Sequence, residues 1–159
     1  MSFPQKLYTI KEIREAKDLI SKGYKHDLTV DGTEDFKNKV NTAFGHLKTA
    51  GYYDFFRTHI KEVAEIDGIT QLRETEIAIW TNQYVVENPV DAASLLVQKA
   101  FSAKEYLDGE LYYGGNAEKR SIVKRTEFLQ VLKEKTVDIT VKQECQRLLN
   151  LWSESALNF

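Results

Sequence analysis

The chain has 159 residues, with 22 Lys+Arg against 24 Asp+Glu and a formal net charge of −2. That balance lacks the basic footprint of a duplex nucleic-acid binder, and 42% hydrophobic with 29% charged residues is too apolar a mixture for a disordered chain. No apolar run approaches the ~18 residues of a membrane span, and the one cysteine, Cys145, supports neither an internal disulfide nor a Cys-based zinc site.

A chain of this length buries about 70% of the surface its unfolded form exposes, so one domain over residues 1–159 folds without a covalent or metal staple. A lone cysteine fits a reducing cytoplasm. The N-terminus, MSFPQKLYTI, lacks the apolar core of a signal peptide.

Thr9 is placed to cap a first helix carrying Ile10, Ile13, Ala16 and Ile20 at helical spacing, and Gly23 stops it. The alternation of Leu28 and Val30 predicts a short strand over 26–30, followed by an Asp31-Gly32 turn. A second helix runs from about Thr33 to Ala50, with Phe36, Val40, Ala43, Phe44 and Leu47 as its stripe. A third is expected over 52–66, with Phe55, Phe56, His59, Ile60 and Val63 inward. Thr75–Trp80, dense in β-branched residues and alternating at Ile77 and Ile79, predicts a strand.

The strongest local signal follows. Asn88 is an N-cap, Pro89 sits at the first helical position and Asp91 lies in the first turn. The helix of residues 88–107 is apolar around most of its circumference, so it belongs at the centre of the domain. Two amphipathic helices, about 117–135 with Asn116 as cap and about 140–156, complete the chain. Lys119, Arg120, Lys124, Arg125 and Lys133 on the first of them, offset by Glu118, Glu127 and Glu134, suggest a solvated face.

The stretch Leu95-Leu96-Val97-Gln98-Lys99-Ala100-Phe101-Ser102-Ala103-Lys104 within the central helix resembles the active-site helix of HExxH metallopeptidases, the zincins. That motif sets two histidines one turn apart on a helix so that both reach one Zn²⁺, with a Glu as general base. Gln98 stands at the first His position, Lys99 at the Glu and Ser102 at the second His, and Glu118 matches a third ligand carried by the following helix. The resemblance implies a mainly α (α+β) fold with a small antiparallel β element, zincin-like in plan.

It also implies that the signature has been lost, leaving no catalytic residue, no metal and no cofactor. Gln and Ser are poor zinc ligands, and Lys99 brings a positive charge to the place of a dication. The resemblance implies that Lys99 faces Glu118. The segment ending at Trp80 takes the place of the zincin edge strand, which binds extended peptide by strand addition. Ile77, Ile79, Trp80, Tyr112 and Tyr113 then form a candidate groove for a peptide or protein partner, with neither nucleic acid nor membrane expected.

Two readings stay open beside this one. One is an all-α structural or interaction domain unrelated to peptidases. The other is an enzyme whose active site the sequence does not reveal. His59 lies on an apolar stripe and reads as a core histidine, and Cys145 reads as a buried small hydrophobe. The G-x-S-x-G, G-x-G-x-x-G and P-loop patterns do not occur.

Overall fold

Four of the described helices begin where the sequence offers a side-chain acceptor for the unpaired N–H groups of a first turn. In α1 (Ile10–Ser21) Thr9 Oγ1 accepts from the Glu12 amide at 3.1 Å while Glu12 Oε1 accepts from the Thr9 amide at 2.8 Å, a complete capping box. In α2 (Glu34–Ala50) the Thr33 hydroxyl accepts from the Phe36 amide at 3.2 Å, and Gly51 closes the helix with φ +79°. The structure is a computed structural model that describes residues 2–156. Met1 and residues 157–159 of the expected domain lie outside the described residues.

The remaining elements are β1 (Thr29–Asp31), α3 (Tyr53–His59), β2 (Glu62–Glu65), β3 (Gln71–Arg73), β4 (Ala78–Thr81), α4 (Pro89–Leu107), α5 (Gly115–Lys135) and α6 (Ile139–Ala156). The protein is mainly helical with one small sheet, the α+β class its sequence implies. None of the helices described is long and apolar enough to cross a membrane.

The third helix is shorter than its apolar spacing suggests. It stops at His59, Ile60 turns extended at φ −131°, and Glu62–Glu65 becomes a strand. Val63 suits both periods, and pairing with strands on both sides decides the outcome. The strand expected over 75–80 begins only at Ala78, because residues 74–77 make a tight turn with Ile77 at φ +48°, a strained conformation for a β-branched side chain. Helix α5 begins at Gly115 with Gly114 in the cap position, so Asn116 lies inside its first turn and is not the cap.

The sheet has the order β1-β2-β4-β3. Its antiparallel pair is β3 with β4, although the sequence predicts no strand over 71–73 and the two strands it predicts do not pair. Strands β1, β2 and β4 run parallel, β2 to β1 because α2 and α3 return the chain to the end from which it left and β4 to β2 because β3 does so between them. The register aligns Val30, Val63, Ile79 and Leu72 in one row across all four strands. That row packs on the helical layer. In the middle of the layer stands α4, which packs against α2, α3, α5 and α6, as its all-round apolar surface predicts.

Candidate functional site

Helix α4 is apolar except for a narrow stripe. Asp91, Ser94 and Gln98 fall at i, i+3 and i+7, on one face. On α5, Ser121 and Arg125 fall at i and i+4. The two helices pack in opposite directions, so the polar stripes meet.

Arg125 carries the contact. Its Nε–H donates to Ser94 Oγ at 2.8 Å, Nη1 to Gln98 Oε1 at 2.8 Å and Nη2 to Asp91 Oδ1 at 2.7 Å. The Gln98 amide nitrogen donates in turn to Ser121 Oγ at 3.0 Å, and Ser121 donates to the Glu118 carbonyl at 2.8 Å. The guanidinium lies 4.6 Å from the Trp152 ring centroid on α6, a cation–π contact that covers its outer face. Arg125 is only 7% exposed, so one of the five cations of the basic face that the sequence suggests on α5 points inward.

Gln98, Lys99, Ser102 and Glu118, the positions set against the zincin motif, lie along this seam. Gln98 is buried in the network. Ser102 bonds back to the Gln98 carbonyl one turn earlier at 3.3 Å. Lys99 is half-buried, and burial lowers the pKa of its ammonium against the opposing pull of Glu118. Glu118 is exposed in the first turn of α5 and acts on Lys99 through its field, without an ion pair between the two.

The candidate groove residues are dispersed as well. Strand β4 sits between β2 and β3, so the strand through Trp80 is interior; the sheet edges are β1 and β3. The strand is not the edge that the resemblance implies, since strand pairing depends on segments far apart in the chain. Ile77 and Ile79 are buried, and Arg73 covers the Trp80 ring at 4.4 Å. Tyr112 packs edge-on to Tyr106 at 5.4 Å, and burial with a Glu74 hydrogen bond pushes its hydroxyl up to about 12. Tyr113 is exposed.

A concavity of about 930 Å³ lies instead at the C-terminal ends of β1, β2 and β4, lined by Asp31, Glu65, Asp67, Asn82, Tyr84 and Glu87 among others. Crevices at strand C-termini are where open α/β sheets hold ligands. Gly32 is required at its rim, because a Cβ there would come 2.8 Å from both Glu65 and Phe36. Glu65 holds the Thr33 amide at 2.8 Å. The carboxylates are spread out: among the described residues no three His, Cys, Asp or Glu side chains gather to hold a metal ion.

Three ionisable groups with large displacements line none of this cleft. Burial lowers His26 to about 4, raises Tyr112 to about 12 and raises Cys145 to about 11, the last a thiol too basic to serve as a nucleophile at neutral pH. His59 is a core histidine, with Nδ1 2.9 Å from the Phe55 carbonyl. Comparison of the chain with protein-family models, with curated proteins and with solved structures finds no match.

Proposed function

We propose that this protein is a catalytically inactive, peptidase-like module that acts by binding a peptide or protein segment in the cytoplasm. Arg125 supports the inactive part of this reading, while the filled seam at Gln98 favours, as a second reading, a structural or interaction domain unrelated to peptidases. A metal held near position 98 would lie beside a fixed guanidinium. Two unit charges 4 Å apart repel by roughly 4 kcal/mol at an effective dielectric of 20, and a dication by about twice that. Gln98, in the place of a zinc-binding histidine, instead accepts a hydrogen bond from that guanidinium.

The lone buried Cys145 suits a reducing compartment. The strand-end cleft is the feature that favours the enzyme reading, and its lining lacks a nucleophile–base pair of the kind catalysis uses.

Purified protein should carry less than about a tenth of a zinc ion per chain by elemental analysis and should leave unstructured polypeptide substrates intact. About one zinc per chain, removed by chelator together with a hydrolytic activity, would overturn the proposal.

A further inference from the structure

One of the dispersed groove candidates, Ile77, is covered by the chain itself. Residues 3–8 form no helix or strand and cross this face as a strap. Leu7 is fully buried, packed in a small core with Ala16, Ile77 and Leu107 that is separate from the main one. Its amide donates to the Thr75 carbonyl at 2.8 Å, in the strained turn that holds Ile77 at positive φ, and its carbonyl accepts from the Tyr106 hydroxyl. Four residues earlier, Phe3 stacks on Tyr24 at 5.0 Å and meets the His26 ring edge-on at 4.5 Å. Gln5, Lys6 and Tyr8 are exposed.

The strap is weakly tied. Besides the two bonds at Leu7, the strap's backbone is tied by Lys61 Nζ, which donates to the Gln5 carbonyl at 3.4 Å, and by the Tyr8 amide, which donates to Glu12 Oε1 at 3.0 Å. Segments of this kind open locally before the core does. Closure also buries the His26 ring, 4% exposed, with Nε2 lacking any hydrogen-bond partner. Opening would rewet that nitrogen, so the closed state carries an unpaired polar group that the open state relieves.

We propose that residues 3–8 are a displaceable strap over a peptide-docking groove, and that the groove takes an extended segment of a partner protein bearing an aromatic residue four positions before a leucine. This rests on the binding-module reading above and names its site. The seated strap supplies the recognition chemistry: an aromatic stacked on Tyr24 and His26, a backbone N–H for the Thr75 carbonyl, a backbone carbonyl for the Tyr106 hydroxyl, and a leucine in the pocket of Ala16, Ile77 and Leu107.

His26 makes the opening sensitive to acid. The ring is faced by Phe3 of the strap, Tyr24, Asp27, Arg57 and His59 of α3 and its end, and Lys61 before β2. Burial is the main force holding it neutral, and Lys61, His59 and Arg57 add to it against Asp27. Closed, it takes up a proton near pH 4; exposed, nearer its ordinary 6.5. The closed state therefore has its full advantage above about pH 6.5 and loses up to tenfold per pH unit below that, down to about pH 4.

The test uses the full chain. In wild-type protein the Leu7 amide should exchange through an opening far easier than that of core amides such as Leu96. The opening constant should rise by roughly 60-fold from pH 7 to pH 4.5, and His26→Phe should flatten that rise. A Phe3→Ser, Leu7→Asp double variant should bind a labelled peptide of residues 2–9 at least tenfold more tightly than wild type does, and a peptide with Leu7→Asp should not bind.

Three results would overturn the proposal: a double variant that no longer folds, one that folds and ignores the peptide, or a Leu7 amide that exchanges only with global unfolding. A concentration-dependent dimer of wild type, lost in the double variant, would put a second copy's strap in the groove and overturn the partner-protein form. None of these results bears on zinc content or hydrolysis, so failure here and failure of the binding-module reading are told apart.

Discussion

Arg125→Met should lower the unfolding free energy by about 3 kcal/mol in urea titrations. The substitution keeps most of the side chain's apolar volume but leaves Asp91 Oδ1, Ser94 Oγ and Gln98 Oε1 without the donor that now satisfies them. Removing one partner of a buried ion pair costs about 3–5 kcal/mol, and the lower end applies because the Asp91 side chain is 38% exposed. Arg125→Lys should recover little, since an ammonium has no planar fork to reach three acceptors on one helix face. Arg147→Met is the control: its pair with Glu144 is on the surface, with Arg147 55% exposed, and its loss should cost about 0–1 kcal/mol. Equal effects at 125 and 147 would mean that the α4–α5 seam is wetter and looser than described.

Leu96→Ala should cost about 2–5 kcal/mol, the range for a leucine removed from a core that cannot collapse around the gap. Leu96 is 1% exposed in the middle of α4, with helices on several sides. The sequence places Phe101 on the same apolar surface, yet in the structure it is only half-buried. Phe101→Ala should therefore cost less, about 1–2 kcal/mol, despite the larger side chain. Urea midpoints for the two variants, at unchanged m-value, decide the order. A Phe101 effect larger than that of Leu96 would move the centre of the core away from the α2–α4 contact.

Much of the helical frame is legible in the sequence because its signals are local. Asn88 and Pro89 start α4, Thr9 and Glu12 start α1, and Gly51 ends α2, each through bonds within a few residues. The failures are where distant segments decide. Val63 reads as a helical position until β1 and β4 are there to pair with it, and Ile77 and Ile79 read as one strand although Ile77 ends a turn at positive φ and only Ile79 lies in β4.

The site follows the same division. Arg125 reads as one cation of a solvated face because its nearest sequence neighbour, Lys124, is of that kind. The signal that would have found it lies on the other helix. Asp91, Ser94 and Gln98 in an otherwise apolar stripe require a buried donor, and arginine alone presents five in a fixed fork. The strap has no period at all, so nothing in Phe3–Tyr8 announces that Leu7 is fully buried.

The α4–α5 seam is a polar strut built around Arg125. The most direct measurement is the NMR signal of the Arg125 guanidinium during a zinc titration. A guanidinium held by Ser94, Gln98 and Asp91 under Trp152 should give a distinct Nε–H resonance that exchanges slowly with solvent and stays in place as one equivalent of Zn²⁺ is added. A fast-exchanging, freely rotating guanidinium, or a resonance that shifts and saturates at about one zinc per chain, would contradict it.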